Sequence, residues 1–318
     1  MDLLLSEHVM IVAKETASAV NHSDEYPAYA SLLGLNASDL SELVARALGN
    51  TAGAQFMTAW SSQNASLVDY TIGVVTHNDD KAKSASTALT TGFTPQFSQT
   101  VSTISKVPRD LITELVATQV LEDISVVDDV FAGKFSAYYT DLHTAYSHAS
   151  RLGDLLSEQI AVDFPDRFPG DATNASVDAR VKLNLDLQEH SYLATMATDA
   201  TINHRDAERA SALNALNANN DALRAVVEDP RFALVWAGEI TLLQQYALSA
   251  DPAARAQLTT GIPVQLTGVI RVESGVVIRH EDGSIQVIDD QRSKASGVAN
   301  DDRAAATSMQ PIADSIKR

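Results

Sequence analysis

Leu5-Ser6-Glu7-His8 and Leu187-Gln188-Glu189-His190 each open a copy of one pattern. The first copy runs through Thr16 and Leu33-Gly34-Leu35-Asn36 to Phe56-Met57-Thr58-Ala59-Trp60 and Tyr70. The second runs through Thr198 and Leu216-Asn217-Ala218-Asn219 to Phe232-Ala233-Leu234-Val235-Trp236 and Tyr246. The Trp-to-Tyr interval is identical in both, and the chain's two tryptophans share one repeat position. Self-similarity of this kind marks a duplicated structural unit.

Outward from these anchors the periodicity is helical. Leu5, Val9, Val12 and Thr16 recur at helical spacing, so residues 2–20 read as an amphipathic helix. Further helices are expected to Leu48, stopped by Gly49-Asn50, then over 52–76, 79–104 and 107–132 (Leu111, Leu115 and Val126 inward), and finally 135–162. Residues 1–163 therefore read as a complete up-and-down bundle. Residues 164–175 hold two prolines and a glycine and read as a linker, its phenylalanines docking on a bundle.

The second copy, 176–260, reads as a partial repeat with no counterpart of 107–162. After Gly261 the segments 264–272, 276–280 and 285–288 alternate in β fashion. Glu273-Ser274-Gly275 and Asp282-Gly283 separate them as hairpin signals, so 261–290 is expected as a β-hairpin element. Residues 291–318 read as a polar tail. The fold class is mainly α: a helical bundle, a truncated second copy of it and a small C-terminal β-hairpin. A half-bundle leaves an apolar flank uncovered, and a hairpin leaves an edge unpaired. Both imply self-association into an oligomer or polymer.

Composition narrows the function classes. With 41 Asp+Glu against 23 Lys+Arg, the formal charge is −18. That excludes the basic footprint needed by nucleic acid and disfavours anionic membrane surfaces. It suits a solvated, salt-exposed surface. The chain has no cysteine, which removes disulfides, thiolate metal sites and covalently attached haem. No apolar run reaches the length of a spanning helix. No basic n-region precedes the first helix, so the chain reads either as cytoplasmic or as numbered from a mature or engineered end without its signal peptide.

Leu4-Leu5-Ser6-Glu7-His8-Val9, Ala52-Gly53 with Phe56 and Trp60, Val68-Asp69-Tyr70-Thr71, Ala145-Tyr146-Ser147-His148 and Phe164-Pro165-Asp166-Arg167-Phe168 carry a family resemblance. In these strings the chain resembles uncharacterised bacterial secreted proteins built of tandem helical bundles, sometimes labelled copper amine oxidase-like. The resemblance implies an extracellular or cell-surface location and no particular activity. Similar members place a histidine on each of four helices, at positions matching His8, Gln63, Gln119 and His148. Four converging histidines would suit a metal or haem. Two are glutamine here, and in the second copy only His190 remains, with Glu239 matching Gln63. The resemblance thus implies an eroded site, for which a buried polar network is the simpler account.

The candidate metal residues are His8 and His148, with Glu7, Gln63 and Gln119 nearby, and the metal would be a transition ion; no other cofactor is expected. Glu7 and His8 lie ~100° apart on a helix and cannot face one centre. His8 is read as a core histidine, a ligand or, least of all, an acid–base group. The Phe, Trp and Tyr residues of the repeat read as core anchors, and Asn36 and Asn219 as helix caps or turns. Asn21, Asn36, Asn64 and Asn174 head glycosylation sequons. The acidic pairs at 79–80, 128–129, 289–290 and 301–302 read as solvated surface. No phosphate loop, metalloprotease helix, nucleophile elbow or dinucleotide fingerprint occurs, so no enzyme is expected. The leading expectation is a non-enzymatic exported structural or assembly subunit. The alternative is a small-ligand or metal-binding bundle module using inward histidines.

Overall fold

The computed structural model describes residues 1–227 and 229–316. The chain divides into two compact units, Met1–Asn174 and Ala175–Arg318. Among the described residues all regular structure is helical, and no helix is long and apolar enough to cross a membrane.

The first unit contains α1 (Asp2–Val20), α2 (Tyr26–Leu48), α3 (Asn50–Val75), α4 (Asp79–Thr87), α5 (Thr94–Ser105), α6 (Arg109–Phe131) and α7 (Phe135–Asp163). Its organising element is α1, which packs against α2, α3, α6 and α7. Every residue from Leu5 to Thr16 is buried, polar ones included. The helix is therefore central rather than amphipathic. It carries polar groups inward because neighbours satisfy them: Ser6 Oγ donates to the Tyr146 carbonyl at 2.9 Å, and Lys14 Nζ to Tyr29 Oη at 3.3 Å. On α6 the inward stripe is Ile112, Val116, Val120, Asp123 and Val127; Leu111, expected inward, is exposed.

Gly53 sets the closeness of α2 and α3. A Cβ there would lie 2.6 Å from Ala45 Cβ and 2.7 Å from the Ser41 carbonyl oxygen. Gly53→Ala is expected to cost about 1–3 kcal/mol through overpacking. Urea unfolding checks this, and an unchanged midpoint would contradict so tight a crossing.

The linker segment belongs to the first unit. Arg167, rather than the phenylalanines, pins it: its guanidinium donates to the carbonyls of Ala47 and Arg46 that end α2, and it lies over the rings of Phe164 and Phe168.

The second unit repeats this plan with α8 (Ala175–Ile202), α9 (Asp206–Val226), α10 (Pro230–Ser249), α11 (Pro252–Ala256), α12 (Ile262–Thr267), α13 (Ser274–Ser293), α14 (Val298–Thr307) and α15 (Met309–Asp314). Asp229-Pro230 and Asp251-Pro252 start α10 and α11, with each Asp carboxylate accepting a backbone N–H and each proline at the first helical position. Here α8 is central, packed by α9, α10, α13, α14 and α15.

Three expectations are corrected by this unit. Residues 261–290 form α12 and α13, not a β-hairpin. In α13 the buried residues Val277, His280, Glu281, Ser284, Ile285, Ile288 and Gln291 follow helical spacing, which outweighs their β-branched character. Gly283 is not a turn residue but a point of close approach, where a Cβ would sit 3.4 Å from Ala305 Cα. The supposed polar tail forms α14 and α15 and buries Val298, Ala299, Ala305, Ala306, Met309 and Ile312; residues 317 and 318 lie outside the described residues. The second copy is consequently closed rather than partial. The self-association expected from an open flank and a hairpin edge loses both of those premises.

The two units share one further irregularity. A π-helical turn at Ala88–Phe93 joins α4 to α5, and another at Gln257–Gly261 joins α11 to α12. Both contain Leu-Thr-Thr-Gly, at 89–92 and 258–261. Each precedes a proline, Pro95 or Pro263, whose missing N–H cannot bond the carbonyl four residues back. Widening the helix there accommodates the lost bond.

Candidate functional site

In the first unit α1, α3, α6 and α7 bring His8, Gln63, Gln119 and His148 to one cavity, which Trp60 also lines. Its free interior is about 20 Å³, room for an ion or a single water-sized guest, and its remaining walls are aliphatic. His8 is fully buried, and neither ring nitrogen has a hydrogen-bond partner. Its ring meets Trp60 edge-on at 4.9 Å. Burial pulls its pKa from 6.5 down to about 3, so the imidazole is neutral at physiological pH.

The glutamines are oriented by Asp123. Gln63 Nε2 donates to Asp123 Oδ2 at 3.3 Å, and Gln119 Nε2 donates to Oδ1 at 2.9 Å. Both amide oxygens are thereby turned away from Asp123, and both are buried without a partner. Burial pushes the Asp123 carboxyl up to about 7, against the opposing donation from Gln119. His148 Nδ1 lies 2.7 Å from Glu122 Oε2, so an N–H there donates to the carboxylate and leaves Nε2 as the second nitrogen.

Glu7 is not part of this cavity. Asn36 Nδ2 donates to Glu7 Oε2 at 2.9 Å and to the Leu4 carbonyl at 2.9 Å. Asn36 thus lies in the middle of α2 and bridges to α1, instead of capping a helix. Asn219 does the same from the middle of α9, donating to Glu189 Oε2 and to the Asp186 carbonyl.

In the second unit His190 on α8, Trp236 and Glu239 on α10, and His280 with Glu281 on α13 converge. His190 Nε2 lies 3.0 Å from Glu239 Oε2, and His280 Nε2 lies 3.4 Å from Glu239 Oε1. Ligand atoms of Glu239, His280 and Glu281 all fall within 4.8 Å of one another, and all three residues are buried. Trp236 meets His190 at 5.3 Å and His280 at 6.0 Å. Burial alone would raise the Glu239 carboxyl, but hydrogen bonds and charge from His190 and His280 outweigh it and hold the pKa low. Burial, with Glu239 beside it, drives the Glu281 pKa well above the carboxylate range.

His280 is the equivalent of Gln119. Tyr70 Oη donates to Asp128 Oδ1 at 2.8 Å, and Tyr246 Oη donates to Asp289 Oδ1 at 2.8 Å. Gln119 and His280 each precede their aspartate by nine residues. Sequence reasoning missed His280 and Glu281 because α13 was read as β. Two strings mark the alignment: Leu-Thr-Thr-Gly in both copies, and Val126-Val127-Asp128-Asp129 against Val287-Ile288-Asp289-Asp290. The second copy is therefore richer in ligating groups than one surviving histidine suggests.

The aromatic anchors are buried as expected, but the two tryptophans also wall the candidate sites. The acidic pairs are not all solvated. Asp128 and Asp289 serve the tyrosines, while Asp302 is fully buried and accepts from Thr195 Oγ1 at 2.8 Å. Of the sequon asparagines, Asn36 and Asn64 are buried with their amides bonded inside, whereas Asn21 and Asn174 are exposed. The chain matches no family model, no curated protein and no solved structure among those compared.

Proposed function

We propose that this chain is a tandem helical binding module in which each bundle holds a small electropositive guest in its core. One observation carries this reading: in the first bundle, buried polar groups without a protein partner line a single cavity from different helices. The acceptors are one ring nitrogen of His8 and the amide oxygens of Gln63 and Gln119, with His148 beside them. Buried acceptors of this kind cost free energy until a donor or cation meets them. The guest is a metal ion or a small protonated amine. The uncharged acceptors favour a cation, and the small aliphatic-walled interior suits a compact one.

The lining contains no serine, threonine, cysteine or lysine, which favours binding over covalent turnover. The acidic surface suits the exported, salt-exposed setting that the family resemblance implies.

Calorimetric titration of the full chain with Cu²⁺, Zn²⁺ and short alkylammonium ions tests the reading. At least one is expected to bind, and a His8→Ala/His148→Ala variant with native far-ultraviolet circular dichroism is expected to lose the first-bundle binding. Failure of every probe to bind the native chain would sink the proposal.

A further inference from the structure

We infer that the second bundle is a site for a divalent first-row transition metal, held by Glu239, His280 and Glu281, with His190 set against the other oxygen of Glu239. This deepens the core-binding reading and rests on it, but it concerns a different set of residues with different chemistry.

Proton positions follow from the surrounding hydrogen bonds. His280 Nδ1 lies 3.2 Å from the Ala305 carbonyl oxygen and 3.0 Å from Ser308 Oγ. The serine hydroxyl already donates to that same carbonyl. Both neighbours therefore accept, and Nδ1 carries the hydrogen. His280 Nε2 is left with a bare lone pair, aimed at Glu239 Oε1.

The same logic fixes His190. The Asn219 amide nitrogen is spent on Asp186 and Glu189, which turns its oxygen to His190 Nδ1 at 3.2 Å. His190 Nδ1 then donates, and its Nε2 lone pair faces Glu239 Oε2 at 3.0 Å. Histidines whose Nδ1–H is anchored on an oxygen and whose Nε2 is bare are preset as metal ligands.

With neutral rings, lone pairs face lone pairs across Glu239, and such an arrangement calls for a proton on each Nε2 or a cation between them. Two protons, one on each Nε2, would satisfy Glu239. They would leave Glu281 unmet: both its oxygens are buried without a partner, beside Glu239 and His280. No lysine or arginine among the described residues pairs with Glu239 or Glu281. One divalent ion can answer both carboxylates and the His280 imidazole together, with His190 beside Glu239. Two carboxylates, two neutral imidazoles and a 2+ ion sum to zero, which is the charge a dry core tolerates.

The donor set selects the ion. The imidazole nitrogen of His280 disfavours Mg²⁺ and Ca²⁺, which prefer oxygen, and the absence of sulfur disfavours Cu⁺. Manganese through zinc remains, in a bundle-core position where facing helices commonly supply such ligands.

The test uses the full chain, stripped by chelator and loaded both by direct titration and by refolding from urea with Co²⁺, so that a closed core cannot hide the site. A Trp60→Phe background makes Trp236 the sole tryptophan, next to both histidines. One Co²⁺ per second bundle is expected, with visible d–d absorption, quenching of Trp236 and displacement by Zn²⁺. His280→Gln and the isosteric Glu281→Gln are expected to weaken Co²⁺ binding by at least about 10-fold each, while His8→Gln/His148→Gln leaves this signal unchanged.

Absence of Co²⁺ binding after refolding would overturn the inference. So would binding indifferent to both His280→Gln and Glu281→Gln. Binding lost only in the His8/His148 variant would overturn it too, while leaving the core-binding reading of the first bundle intact.

Discussion

A His8→Met variant is expected to outlast the native protein in acid. His8 is buried with no acceptor for either nitrogen, and its pKa falls to about 3 in the folded chain against 6.5 when unfolded. Above pH 6.5 the ring is neutral in both states and adds no pH dependence. Between 6.5 and about 3 the unfolded chain binds a proton that the folded chain refuses. Stability is then lost as pH falls, by about 1.4 kcal/mol per unit and on the order of 5 kcal/mol in all.

Asp123 and Glu15 slope the other way. Burial raises both to about 7, so they hold protons that the unfolded chain releases near pH 4, and they cost stability as pH rises through that window. The native profile is a sum of opposed slopes, and the difference between native and variant isolates His8. Methionine is similar in bulk and never titrates. The variant's urea midpoint should gain steadily on the native one from pH 6.5 downward. A gap that stays constant between pH 7 and pH 4 would refute the assignment.

Trp236→Ala is expected to cost about 3–5 kcal/mol, a large share of the total stability of an ordinary domain. Trp236 is fully buried, with Phe232 at 5.8 Å and the two histidine rings beyond. Its neighbours sit on α8, α10 and α13, so three helices would border the void. The loss should appear in the urea midpoint with little change in slope, because the denatured chain exposes almost the same surface. A loss below about 1 kcal/mol would show that the surrounding helices collapse into the space and that the ring is not a keystone.

Much of the first bundle was legible because its elements agree with their own periodicity. Tyr139, Leu142, Tyr146, Ala149, Leu152 and Leu156 form one buried face on α7, as their spacing requires. The meeting of His8, Gln63, Gln119 and His148 at one cavity was an expectation of the family resemblance alone, since their spacing along the chain does not pair them. The second half was not legible, because Val276, Val277, Ile285, Val287 and Ile288 favour strands locally, and Gly275 and Gly283 mimic turns. Tertiary packing overrode both preferences. Asn36 and Asn219 resembled caps for a similar reason: asparagine competes with helix backbone unless, as here, a buried glutamate and a carbonyl occupy its amide.

The central position of α1 bears on how the chain reaches its fold. Ser6 is bonded to Tyr146, 140 residues later, and Ala13 to Tyr138, 125 residues later. In the other unit Thr195 waits 107 residues for Asp302. Each axial helix thus leaves the ribosome well before the segments that enclose it. High contact order of this kind slows folding and prolongs the exposure of apolar surface. During synthesis the stretch from Leu5 to Thr16 is a natural client for a chaperone, and its shelter is temporary until α7 arrives.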